Sequence, residues 1–155
     1  MPAFFQFFMF SRMSTSELTK KQKRLLKTAF YLASLHPRNA RASVCAIVAR
    51  KGKVVSYGFN KMKTHPLQAK YSKNPKSIFI HAEIDAIRNA LFKYSSGELT
   101  ECEIYIARAK LNEPGGKPVP ALACPCAGCQ KAIGAFELKG VFYTEDNDAR
   151  IHEDN

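Results

Sequence analysis

An α/β domain, with helices packed on the faces of a sheet that contains parallel neighbours, is the fold class this sequence of 155 residues predicts. Three observations predict it. Apolar residues recur at helical spacing over 15–36 and again from about residue 81. Four short runs rich in β-branched and aromatic residues stand apart from those segments. The last of these runs alternate with helical patterns, and a strand reached through a helix returns parallel to its neighbour.

Between Thr15 and His36, Leu25, Leu26, Ala29, Phe30 and Ala33 fall on one helical face, with basic residues from Lys20 to Lys27 near its start. Pro37 ends this helix. The runs ASVCAIVAR (42–50) and KVVSYGF (53–59) are joined by Lys51-Gly52, a hairpin signal in which Gly52 takes the positive φ the turn needs. Residues 60–77 read as a basic loop broken by Pro66 and Pro75. A second helix starts at about His81, with Ile84, Ile87 and Leu91 on one face and Asp85, Arg88 and Asn89 away from it. The run EIYIAR (103–108) is a strand. Pro114, Pro118, Pro120 and two glycines predict that 109–122 holds no regular structure. Pro125 opens a short helix to about Phe136, and Gly140 precedes a last strand, VFYT (141–144). The expected organisation is an N-terminal extension (1–14), one domain (15–145) and a poorly ordered acidic tail (146–155).

Charge is unevenly placed. The formal net charge is +11, yet before His81 there are 16 Lys and Arg against one acid, Glu17, and from His81 onward 8 basic residues meet 12 acidic ones. Such a basic half favours a phosphate-bearing partner, a nucleotide or a nucleic acid. It is equally compatible with scattered solvated lysines, and the lysines of 60–76 read either way. Of five cysteines, Cys124, Cys126 and Cys129 crowd together while Cys45 and Cys102 sit in strand-like runs. An odd count so arranged points to metal binding plus two buried thiols in a reducing, cytoplasmic setting, not to a disulfide framework. The opening MPAFFQFFMF is about ten residues against the roughly 20 of a membrane helix, and it lacks a basic n-region, so neither a membrane anchor nor a signal peptide is expected.

The chemistry rests on two fragments, His81-Ala82-Glu83 and Pro125-Cys126-Ala127-Gly128-Cys129, each opening a predicted helix. Thiols three residues apart at a helix start share a face and can close on one ion. Pro125 suits the first helical position, and the positive end of the helix favours thiolates. One His and two Cys suit tetrahedral Zn²⁺ with a fourth position open, the pattern of a catalytic site. Glu83, two residues from His81, is placed to move a proton. Alone, H-x-E is a common chance pairing, and C-x-x-C could be a redox pair or half a structural zinc site. Together and in this order they specify one site. Cys124 is expected to point away from the metal, and His65 to be a loop residue.

H-x-E followed by P-C-x-x-C is the signature of zinc deaminases of nucleic bases. HAEIDAI (81–87) and PCAGCQKAI (125–133) resemble the cytidine and deoxycytidylate deaminase superfamily, and LKGVFYT (138–144) resembles a strand of the deoxycytidylate deaminases in particular. The likeness runs from about Arg41 to Thr144. It implies a three-layer α/β/α cytidine-deaminase-like domain with a central mixed sheet, a Zn²⁺ cofactor on His81, Cys126 and Cys129, and Glu83 as the catalytic proton carrier. It further implies substrate contacts from Asn60, the backbone of Ala82 and Tyr143, a nucleotide substrate with deoxycytidine monophosphate (dCMP) favoured, and a possible homo-oligomer. Two rivals stand beside it: a deaminase of single-stranded DNA or RNA, and a zinc-stabilised nucleotide-binding module without catalysis. Three features depart from the pattern. Asp85 stands where deoxycytidylate deaminases usually carry Asn, the gap between the motifs is long, and a fifth strand is missing after the last.

Overall fold

A computed structural model describes residues 17–36, 42–72 and 79–152. The N-terminal extension, Pro75 and the lysines at 73 and 76 lie outside the described residues. Helix α1 (Lys20–Leu35) begins at Thr19, whose hydroxyl accepts the Gln22 N–H at 3.2 Å while the Gln22 amide oxygen accepts the Thr19 N–H at 2.9 Å. This reciprocal cap satisfies two donors a bare helix end would leave open. Strands β1 (Ala42–Arg50) and β2 (Lys53–Phe59) pair antiparallel, and Gly52 takes φ 78° in the turn, as the hairpin signal requires.

Next come a short helix α2 (Pro66–Tyr71), helix α3 (Ala82–Ala90) and the long strand β3 (Cys102–Lys110). They are followed by β4 (Val119–Ala121), helix α4 (Ala127–Ala135) and β5 (Gly140–Tyr143). The sheet is mixed. Strand order runs β2-β1-β3, all antiparallel, and the far edge of β3 is shared. Its first half pairs with β5 in parallel, Glu103 to Ile106 against Gly140 to Tyr143, and its last three residues pair with β4 antiparallel. Thr144, fully buried, sits at the fork. Its hydroxyl donates to the Ala121 carbonyl at 2.7 Å and accepts the Arg108 N–H at 3.1 Å.

Alternation along β3 sorts two cores onto the two faces. Ile104 and Ile106 join Ala46, Val48 and residues of α3 and α4, whereas Tyr105, Ala107 and Ala109 join Leu26, Ala29 and Ala33 of α1. Three layers result, as the sequence predicts.

Three expectations are corrected. Pro66 does not break the 60–77 segment but starts α2, where its missing N–H is harmless, and His65 caps that helix by accepting the Leu67 N–H on Nδ1 at 3.1 Å. The segment 109–122 is not irregular throughout: β3 runs on to Lys110 and β4 returns along it, with Pro120 tolerated on a short edge strand. This supplies the fifth strand inside the long gap, not after β5. The residues after Thr144 are not loose through His152. Asp148 accepts from Arg150 and the Glu145 N–H, and Ile151 is buried with the residues of α1. Among the described residues no helix is long and apolar enough to cross a membrane.

Candidate metal centre

His81 ends the extended segment before α3 and occupies its N-cap position, and Cys126 does the same for α4. Both lie on the side of the sheet opposite α1, so the starts of two helices face each other. Gly58 lets β2 cross directly over the first turns of α3, since a Cβ there would stand 2.2 Å from the Ala86 nitrogen. Gly128 lets α4 approach the end of α2, where a Cβ would stand 2.6 Å from the Tyr71 carbonyl oxygen. From α2 the buried Gln68 accepts the His81 N–H on its amide oxygen at 2.9 Å, which fixes the backbone of that residue.

The His81 ring presents Nδ1 to both sulfurs, 3.3 Å from Cys129 and 3.6 Å from Cys126. The three donor atoms lie within 4.8 Å of one another. A tetrahedral Zn²⁺ with ordinary bond lengths sets its nitrogen and sulfur ligands about 3.6 Å apart, so the observed spacing fits that ion. The donor set, borderline nitrogen and soft sulfur, fits it as well.

The electrostatics of the site are unequal from group to group. The hydrogen bond from Cys129, then that from His81, pushes the Cys126 thiol down to about 3, so a thiolate stands ready. The Cys129 thiol is instead raised, first by its bond to Cys126 and then by burial. The hydrogen bond to Cys126 likewise raises His81. Glu83, 6% exposed, has its carboxyl raised, chiefly by burial.

Beside these groups opens a cleft of about 490 Å³. His81, Glu83, Ala82 and Asn60 line it. The Asn60 amide oxygen is held by the Val44 N–H at 2.9 Å, leaving its –NH₂ as the free donor. Tyr143 is not among the lining residues: at the end of β5 it packs half-buried against the core on that face. Cys124 is exposed and lines the cleft, yet it is no member of the three-donor cluster.

Several participants escaped the sequence reading. Gln68 carries no local signal, because its role is a contact across thirteen residues. Arg108, at the end of β3, also lines the cleft, and the alternation of β3 places it on the same face as Ile104 and Ile106. Of the basic loop, Lys61 pairs with Asp85 at 2.9 Å and Lys70 lies over the Tyr71 ring, and neither lines the cleft. Asp85, 1% exposed, accepts the Phe59 N–H at 3.0 Å, Lys61 on the same oxygen, and Arg88 at 2.7 Å on the other.

Two helix starts that bring His, Cys and Cys together beside a buried glutamate, on one face of a mixed sheet, define a deaminase domain with a zinc site. The chain belongs to the cytidine and deoxycytidylate deaminase family, whose zinc-binding region matches residues 19–145. Among solved structures it is similar to a guanine deaminase from Bacillus subtilis, with a TM-score of 0.50 at 23% identity, and it spans 83% of this chain and 65% of that enzyme. It is also similar to a dCMP deaminase from the cyanophage S-TIM5 in complex with dCMP and dUMP, with a TM-score of 0.50 at 23% identity over 82% of this chain and 83% of that one. At such identities the likeness is one of fold. No curated protein sequence matches the chain significantly.

Proposed function

We propose that the chain is a hydrolytic deaminase that replaces the exocyclic amine of a cytosine nucleotide with oxygen, converting dCMP to dUMP and releasing ammonia. The observation that carries this reading is the convergence of His81, Cys126 and Cys129 beside the buried Glu83, with His81, Cys126 and Glu83 lining one cleft. The resemblance of LKGVFYT (138–144) to the deoxycytidylate deaminases supports a deoxynucleotide as substrate, and a net charge of +11 is compatible with a phosphate on it.

Zinc held by the three donors supplies Lewis acidity and makes water a nucleophile near neutral pH. The protein's own groups do the rest. As the water oxygen adds to C4 of the ring, the Glu83 carboxylate takes its proton and passes it to N3. The remaining hydroxyl proton then moves through Glu83 to the amine, the C4–N bond breaks, and ammonia leaves as the carbonyl of uracil forms. One water is consumed, one ammonia is released, and no redox partner is needed. Ala82 offers the unpaired N–H of the first helical turn to the base, and Asn60 offers its free amide to the sugar.

A panel of dCMP, deoxycytidine and a single-stranded oligonucleotide, scored by ammonia release with zinc measured on the same sample, tests the reading. Turnover of dCMP should be fastest at one zinc per chain. Glu83→Ala should keep that zinc and lose about 10²–10⁴-fold in kcat. A variant that released ammonia at the wild-type rate would remove Glu83 from the mechanism, and a zinc-loaded chain inert to the whole panel would remove the function.

A further inference from the structure

We infer that Arg108 is the residue that reads the 5′-phosphate of the substrate, and so selects a nucleoside monophosphate over the free nucleoside. This rests on the deaminase reading for the site it completes, but it is carried by separate observations. Arg108 lines the same cleft as His81, Glu83 and Asn60, and no acidic side chain pairs with it among the described residues. Other cations near the site are engaged: Lys61 and Arg88 are both held by Asp85.

Its position is fixed from three sides. In the β1–β3 ladder Arg108 stands opposite Val44, in the β3–β4 ladder it stands opposite Ala121, and its backbone N–H is bound by the Thr144 hydroxyl. Val44 is also the residue whose N–H holds the Asn60 amide oxygen. Asn60 and Arg108 therefore flank one strand position, a neutral donor on one side and a cation on the other. Neighbouring strands lie about 4.8 Å apart, so with β1 between them the two positions stand roughly 10 Å apart, a span that the two side chains and one nucleotide between them can bridge. With Asn60 on the sugar of dCMP, as the proposed function has it, the anionic group left to meet Arg108 is the phosphate that dCMP carries at its 5′ position.

The chemistry of the side chain fits that substituent. A guanidinium presents a planar fork of donors to two phosphate oxygens at once and stays charged at any working pH. An unpaired arginine in a cleft that already carries polar donors gains little from a neutral nucleoside and much from a dianionic ester. The β3–β4 hairpin, which makes the gap between the two zinc motifs long, extends β3 past Arg108 and brings Leu122 and Ala123 to the wall of the cleft.

Binding separates this inference from the reaction. Zinc-loaded wild type, Arg108→Ala and Arg108→Lys are titrated calorimetrically with dUMP, with deoxyuridine and with a single-stranded oligodeoxynucleotide. Wild type should bind dUMP about 10- to 100-fold more tightly than deoxyuridine, as a charge-assisted pair warrants. Arg108→Ala should bring that ratio close to one, and Arg108→Lys should restore part of it. Equal affinities in wild type, or a ratio that survives Arg108→Ala, would overturn the assignment. So would a variant that weakens the oligonucleotide while leaving dUMP untouched. A preference for dUMP that depends on Arg108 in a chain releasing no ammonia would support the phosphate site while refuting deamination.

Discussion

Asp85→Asn is the most informative single change outside the metal centre, because the replacement is nearly isosteric and the carboxylate it removes is buried. Removing one partner from a buried ion pair usually costs about 3–5 kcal/mol. Two features lower that figure here. The Lys61 and Arg88 side chains are 36% and 32% exposed, so both regain water when the carboxylate is gone. Asparagine also keeps an oxygen for the Phe59 N–H. What remains is the loss of two charge-assisted bonds, roughly 1.5–3 kcal/mol each before solvent screening. Screening at such partly exposed partners removes about half, leaving a net loss of about 2 kcal/mol. For a chain of this length that corresponds to a Tm lower by roughly 4–8 °C. Burial works to raise the Asp85 carboxyl, but the bonds from Lys61, from the Phe59 N–H and from Arg88 outweigh it and hold it below the ordinary value. A depressed carboxylate stabilises the fold above its unfolded pKa, about 3.9, and that contribution is lost as pH falls through the folded value. The gap between wild type and Asp85→Asn, measured by urea denaturation, should therefore be constant from pH 5 to 8 and close below about pH 4. A variant as stable as wild type at pH 7 would refute this, showing that desolvating the carboxylate cancels its ion pairs.

Gln68→Leu deprives the His81 N–H of its acceptor and should lower stability by about 1–3 kcal/mol, with weaker zinc retention in a chelator competition; unchanged retention would detach Gln68 from the site. Gly128→Ala forces a methyl group against the Tyr71 carbonyl and should cost about 1–3 kcal/mol by denaturant melt, and an unshifted midpoint would mean that α4 does not need that approach. Cys126→Ser should lose zinc by elemental analysis while Cys124→Ser keeps one ion per chain, and equal loss from both would place Cys124 among the ligands.

What the sequence disclosed follows from the range of the interactions. His81, Glu83, Cys126 and Cys129 are legible because each fragment is local: spacings of two and three residues carry the chemistry wherever the fragment lies. The α1 stripe and the Lys51-Gly52 turn are local too. Pro66 and Pro120 look like interruptions in the sequence, whereas one begins α2 and the other lies on an edge that needs no N–H from it. Tyr143 rests on resemblance alone, and at the end of β5 it lies half-buried against the core. Asp85, the departure from the asparagine of deoxycytidylate deaminases, gains a physical account only once Phe59, Lys61 and Arg88 surround it. Gln68 and Arg108 have no motif, since each matters through residues distant in sequence.

The separation of the two ligand fragments sharpens the point. Cys126 lies 45 residues from His81, and nothing in either motif fixes the distance between them. That distance is set by contacts among residues that carry no chemistry. Gly58 seats β2 on α3, Gln68 ties α2 to the backbone of His81, and Gly128 seats α4 against the end of α2. These contacts link the two helix starts through packed backbone, and a rigid first coordination sphere needs that support as much as it needs its ligands. Zinc affinity should thus answer to substitutions in the links as well as in the donors. The links are backbone approaches and one buried amide, and none of the three residues that make them lines the cleft.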